Sequence, residues 1–150
     1  MKKLLIIFVV LFLVLGCSKI SEDRTTFKTY LTTQGYDCTD TACNLSSQSE
    51  NGTSVIFTNI NFDEKVMTYA LVVNDTNSIF INYEYTNNKT YSSYKISDYD
   101  ISSTYEFDSN TFTCNYEDEV VCSNIKNLIE TSKDTFDNYV KSADINKDNL

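Results

Sequence analysis

Residues 54–85 read SVIFTNINFDEKVMTYALVVNDTNSIFINYEY, and this stretch decides the fold. β-Branched and aromatic residues are concentrated in three segments of it, which is typical of half-buried strands. The three segments are Ser54–Phe62, Val66–Val73 and Ser78–Tyr85. The polar turns between them, Asp63–Lys65 and Asn74–Asn77, are too short for a crossover connection, so they predict an antiparallel β-meander.

Weaker strand patterns extend the meander on both sides. The downstream segments are Thr90–Ile96, Ser103–Phe107 and Phe112–Tyr116, separated by polar turns. The irregular alternation of Thr90–Ile96 favours an edge position. Upstream, Tyr36–Cys43 predicts a short strand and turn, whereas the Ser- and Asn-rich segment Leu45–Gly52 predicts a loop.

Two segments have helical spacing. In Glu117–Lys141 the apolar residues recur on one helical stripe, and acidic residues crowd the first turn, where the helix dipole favours negative charge. Glu22–Gln34 predicts a shorter helix, capped by Ser21 and followed by Gly35. The sequence therefore predicts an α+β fold: an antiparallel β-meander of five to six strands, packed by a long C-terminal helix, with a short N-terminal helix.

The first residues have a different character. Lys2 and Lys3 precede the apolar run Leu4–Leu15, which is shorter than the roughly 20 residues that span a bilayer and suits the core of a secretory signal. The order Val14-Leu15-Gly16-Cys17 resembles the lipobox of bacterial lipoproteins. The resemblance implies that Cys17 is acylated, for example with palmitate, and that the segment before it is removed. The mature chain would then be extracytoplasmic and lipid-anchored to the cell membrane.

The chain length of 150 residues suits one domain behind this leader. We expect a signal peptide at 1–16, a short lipidated tether at 17–21 and a single α+β domain at 22–143. The last residues, 144–150, are expected to form a frayed polar tail.

Four cysteines follow Cys17, namely Cys38, Cys43, Cys114 and Cys122. An even number of cysteines in an exported protein indicates disulfides, and four cysteines allow three pairings. We favour Cys38–Cys43 and Cys114–Cys122, because short loops close at the least entropic cost. A structural zinc site is the alternative. The spacing of these cysteines disfavours it, because the paired cysteines of a zinc site are usually separated by only about two to four residues.

The composition of the chain disfavours several classes of function. The chain has 21 acidic and 12 basic residues and a net charge of −9, which disfavours nucleic acid as a partner. It also disfavours adhesion to anionic lipid, so the acyl chain must supply the membrane anchor. The chain contains no histidine, which removes the commonest general base and every nucleophile–histidine system. Its three glycines form no phosphate-binding loop, and we expect no enzyme activity, cofactor or metal.

Tyrosines crowd the strand region, and the candidate binding face consists of Tyr69, Tyr83, Tyr85, Tyr91 and Tyr94. Tyrosine is enriched at interfaces, but it is also a good strand former whose ring packs in a core, and we favour the core interpretation. The leading functional hypothesis is a non-catalytic binding or interaction module whose partner is a protein or an envelope polymer.

Two alternatives stay open. One is a structural or accessory lipoprotein without a discrete ligand site. The other is a hydrolase that uses two carboxylates from among Glu84, Glu106 and Asp108. An open, concave sheet face lined by tyrosine would favour the binding module. A sheet with both faces covered would favour the structural role, and two carboxyl groups facing each other in a cleft would favour the hydrolase.

Overall fold

The computed structural model describes residues 19–50, 52–73, 77–96 and 99–150. The predicted signal peptide, the lipobox and Cys17 lie outside these residues. The described chain forms one eight-stranded sheet in which the strand order follows the sequence order, and every neighbouring pair is antiparallel.

The strands are β1 (Asp37–Cys38), β2 (Ala42–Gln48), β3 (Ser54–Asn61), β4 (Val66–Val73), β5 (Asn77–Glu84), β6 (Lys89–Ile96), β7 (Tyr99–Glu106) and β8 (Thr111–Cys114). Helix α1 includes residues 19–33, and helix α2 spans Glu119–Ser142. A short 3₁₀-helix, Lys147–Asn149, follows α2.

The α+β class, the antiparallel meander and the long C-terminal helix are confirmed, but the predicted count of five to six strands is wrong. Most of β2 lies in the predicted loop Leu45–Gly52. Ser46, Ser47 and Gln48 are exposed at the sheet edge, so pairing with β3 holds them in a strand without any need for apolar side chains.

The predicted edge position of Thr90–Ile96 is also wrong, because β6 lies between β5 and β7. The irregular pattern has another cause. Thr90 and Ser92 are buried at 1% and 5% exposure although both are polar, and the Ser92 hydroxyl pairs with that of Ser103 at 2.5 Å. Small hydroxyl residues therefore occupy core positions, where a buried strand is expected to carry apolar ones.

Helix α2 begins two residues later than predicted. The Asp118 carboxylate accepts hydrogen bonds from the N–H groups of Val120 at 2.8 Å and Val121 at 3.3 Å, which caps the helix start. The buried stripe consists of Ile125, Ile129, Ser132 and Phe136.

One face of the sheet carries α2 on a diagonal. The Cys114–Cys122 disulfide ties the helix start to β8. Ile125 and Ile129 then pack on a core cluster drawn from β5, β6 and β7. Towards its end, Tyr139 meets Tyr36 beside β1, with ring centroids 6.0 Å apart. The helix therefore runs from the β8 edge to the β1 corner and leaves part of the sheet uncovered.

Helix α1 packs beside the end of α2. Phe27 and Leu31 are fully buried, and the Phe27 ring meets those of Phe62 and Phe136 edge-on. Gly35 follows the end of the helix, and its φ of 91° lies in the region that favours glycine. The Tyr36 N–H donates back to the Leu31 carbonyl at 3.1 Å, and the chain then enters β1.

The tail 144–150 was expected to be frayed, but the structure shows that it is ordered. Leu150 is 1% exposed and belongs to the same core cluster as Phe27 and Phe136. Asn149 Nδ2 donates to Asp23 Oδ2 at 2.6 Å, which ties the tail to α1. The last residues therefore complete the core between the two helices.

The favoured cysteine pairing is confirmed. Cys38–Cys43 closes the β1–β2 hairpin, and Cys114–Cys122 joins the last strand to the last helix.

Candidate functional site

The two faces of the sheet differ in what covers them. The register places Cys43, Ile60, Met67 and Tyr83 side by side on the face that packs against the helices, here called the helix face. The opposite face, here called the open face, carries no helix in the described part of the chain.

A groove of about 260 Å³ lies on the helix face, between α2 and strands β2–β4. It exists because the diagonal course of α2 leaves these strands partly open. The residues that line it are Tyr36, Leu45, Thr58, Met67, Tyr69, Leu128, Thr131, Ser132, Thr135 and Tyr139. None of them is charged, although the chain carries a net charge of −9.

The groove combines an apolar interior with many hydroxyl groups. Leu45, Met67 and Leu128 supply aliphatic surface, and all the other lining side chains carry a hydroxyl. Ligand pockets for drug-sized molecules usually enclose roughly 300–1,000 Å³, so this groove suits a smaller group such as one or two side chains or a sugar. Hydroxyls both donate and accept hydrogen bonds, which fits an uncharged polar ligand.

Tyr36 closes one end of the groove and is 4% exposed. Its ring lies perpendicular to that of Tyr139, with an angle of 85° between the planes. Burial raises the pKa of Tyr36 above its ordinary value, the neighbouring Tyr139 raises it further, and the Thr58 hydroxyl partly opposes the rise. Tyr36 is therefore a neutral hydrogen-bonding group at physiological pH.

The five tyrosines of the candidate binding face do not form one accessible surface. Tyr83, Tyr85 and Tyr94 are core residues, at 0%, 0% and 3% exposure, because α2 covers the middle of the helix face. Tyr69 is half-buried and lines the groove. Tyr91 is 43% exposed and lies on the open face, opposite Asn82 in the register.

Most groove residues carry no distinctive pattern in the sequence. Tyr36 and Tyr139 lie outside the tyrosine-rich strands, and Leu45 falls in the predicted loop. A usable signal lies in α2, where Ser132 interrupts the apolar stripe and Thr131 and Thr135 border it. Small hydroxyl residues along one flank of a core-facing helix indicate that this flank packs loosely on the sheet.

The acidic residues considered for hydrolysis lie elsewhere. Glu106 accepts a hydrogen bond from Lys89 at 2.6 Å on the open face, and this bond lowers the pKa of the Glu106 carboxyl. Glu84 accepts a hydrogen bond from Asn87 Nδ2 at 3.0 Å in the β5–β6 turn. Asp108, in the β7–β8 turn, accepts a hydrogen bond at 2.5 Å from Asn88 in the β5–β6 turn. Each carboxylate thus serves a local polar contact, and none lines the groove.

No protein-family model matches the chain, and neither a curated protein nor a solved structure matches it. Within the residues that the structure describes, neither helix is apolar enough over a sufficient length to cross a bilayer. The same residues bring together no group of three or more metal-ligating side chains.

Proposed function

We propose that the chain is a lipid-anchored, extracytoplasmic binding module without catalytic activity, whose groove takes an uncharged part of an envelope protein or polymer. The observation that carries the proposal is the groove itself. It is an uncharged, hydroxyl-rich opening between α2 and β2–β4 in an otherwise strongly acidic chain.

The location rests on two features. The order Val14-Leu15-Gly16-Cys17 resembles a lipobox, and both pairs of the remaining cysteines are joined as disulfides. Disulfides persist in oxidising compartments outside the cytoplasm. Growth with labelled palmitate tests the anchor: wild type should incorporate the label, and Cys17→Ala should not. An unlabelled wild-type chain would contradict it.

The choice of binding over hydrolysis rests on the lining of the groove. A glycosidase needs two carboxyl groups on either side of the scissile bond, roughly 5 to 10 Å apart. The groove contains hydroxyl and apolar groups instead. These groups recognise a ligand by shape and hydrogen bonding, as small-molecule and peptide sites do.

A matched pair of variants on α2 tests the groove. Thr135 is exposed at the groove rim, and Asn138 is exposed on the same helix but does not line the groove. Thr135→Arg places a long charged side chain over the opening, while Asn138→Arg makes the same change of charge elsewhere.

The measurement is retention of the full chain, purified in detergent, on envelope material from native cells that lack this protein. Wild type and Asn138→Arg should bind equally, and Thr135→Arg should bind at least tenfold more weakly. Equal binding by all three would place the partner on another surface, and no binding by wild type would contradict the proposed function.

A further inference from the structure

We propose that the open face of the sheet is a dimer interface, on which a second copy of this chain packs its own open face. The proposal starts from exposed apolar side chains. Val55, Phe57, Val72, Phe80 and Tyr91 all lie on this face, and each is between 36% and 43% exposed. Singly exposed apolar residues are ordinary, but a contiguous group of this kind marks an interaction surface.

The centre of the group has a defined shape. Ala70 of β4 lies between Phe57 of β3 and Phe80 of β5 in one row of the register. The two rings leave Ala70 only 3% exposed. Two aromatic ridges therefore flank a shallow floor, which is a surface that can interdigitate with apolar side chains of a facing sheet.

Charge favours a second copy as the occupant. The apolar group spans β3–β6, and the charged residues of the open face lie at or next to strand ends. Opposite signs face each other there, as in Lys89 with Glu106 and Lys95 with Asp100. In a chain of net charge −9, two copies can therefore meet on this face with little repulsion between their charged residues.

The size of the face also fits. Neighbouring strands lie about 4.8 Å apart and rise about 3.4 Å per residue, so the six strands β2–β7 cover about 800 Å². A stable interface of standard size buries about 800 Å² from each partner. Two open faces packed as a β-sandwich therefore supply the area that a stable dimer needs.

The arrangement is compatible with two lipid anchors in one membrane. Arg24 of α1 donates to the Phe62 carbonyl and pairs with Asp63, which places the early part of α1 at the β3–β4 turn. A two-fold axis parallel to the strands puts this end of both copies on the same side. Both grooves then face outward, so the dimer does not depend on the proposed groove function.

The test is the mass of the full chain in density-matched detergent, with micelles in large excess, by sedimentation equilibrium. Wild type should be a dimer. Phe80→Asp and, independently, Phe57→Asp should weaken dimerisation at least a hundredfold, because each buries a carboxylate from both copies at the interface. Val120→Asp is the control, because Val120 is 69% exposed on α2 and away from the open face.

Hydroxyl-radical footprinting of wild type gives a readout that needs no variant. Oxidation of Phe57 and Phe80 should fall as concentration drives dimer formation, while oxidation of Val120 should not change. A wild type that stays monomeric, a dimer that survives both aspartate variants, or a dimer that leaves Phe57 and Phe80 unprotected would each overturn the proposal.

Discussion

Phe136 of α2 stacks on Tyr85 at the end of β5, with ring centroids 5.0 Å apart and an angle of 20° between the planes. The same phenylalanine ring meets Tyr83 and Phe27 edge-on, at 5.7 Å and 6.0 Å. Phe136 is fully buried. One side chain therefore connects α2, the sheet and α1, and it fixes the end of α2 that borders the groove.

Removing this ring should destabilise the whole domain. We expect Phe136→Ala to lower the free energy of unfolding by about 3–5 kcal/mol, from lost apolar burial and the cavity that remains. Urea unfolding followed by circular dichroism measures the loss. Val120→Ala, at a position 69% exposed on the same helix, should change stability by less than about 0.5 kcal/mol. Equal stability of the two variants would show that Phe136 is not the junction described.

The C-terminal residue should matter as well. Leu150 is 1% exposed among the residues that join the two helices. Leu150→Ala should therefore lower the free energy of unfolding by about 2 kcal/mol, at the low end of buried leucine truncations because a chain end relaxes easily. Asp148→Ala, at an exposed neighbouring position, is the control. If the two variants unfolded at the same urea concentration, Leu150 would not contribute to the core, and the tail would be frayed as its composition suggested.

The second disulfide should stabilise the fold measurably. Cys114 and Cys122 are eight residues apart in sequence, and a cross-link over such a loop removes about 2–3 kcal/mol of entropy from the unfolded chain. The double variant Cys114→Ser/Cys122→Ser should unfold at a correspondingly lower urea concentration. A non-reduced peptide digest should show the two bonds of the wild type, and free thiols at these positions would contradict the structure.

Much of this architecture could be predicted from periodicity. The run of β-branched, aromatic and aliphatic residues over Val66–Val73, bounded by polar turns, predicted β4 to the residue. The helical stripe of α2 was equally clear, since the whole stripe packs on one face of the sheet. The low entropic cost of closing short loops also predicted the disulfide pairing.

The parts that failed share a physical cause. The outer half of β2 is held by main-chain pairing to β3. This pairing does not depend on the side chains, so the pattern of polar and apolar residues does not reveal it. Leu150 is buried because α1 and α2 leave a gap, which depends on contacts between distant segments. The groove likewise arises from the crossing angle of α2, so its lining residues come from five separate parts of the chain.

Alkaline pH should unfold the domain through its buried tyrosines. Burial is the first cause that raises the pKa values of Tyr36, Tyr83, Tyr85 and Tyr94, and that of Tyr94 rises to about 12. Above pH about 10 the folded chain therefore holds more protons than the unfolded chain. The free energy of unfolding keeps its full value below that pH and falls as the pH rises above it, towards the raised pKa values of the folded state. Each such tyrosine contributes a slope of up to about 1.4 kcal/mol per pH unit. Unfolding free energies measured on both sides of pH 10 check this, and a flat profile would contradict it.

Tyr94→Phe isolates one of these groups. The Tyr94 hydroxyl is buried and makes no hydrogen bond of good geometry with the described residues. Removing an unsatisfied buried hydroxyl should leave stability at neutral pH unchanged or raise it by about 1 kcal/mol. The alkaline slope should become shallower by the contribution of one tyrosine. A large loss of stability at neutral pH would show that the hydroxyl has a partner.

The most direct test of the groove uses its one methionine. The chain has two methionines, Met1 in the predicted signal peptide and Met67 in the groove lining. Chain labelled with ¹³C at the methionine methyl group should therefore report the groove through the Met67 resonance. Solubilised envelope material that binds the chain should shift that resonance in wild type and in Asn138→Arg, but not in Thr135→Arg. Material that binds while the Met67 signal stays in place would contradict a binding module that works through this groove.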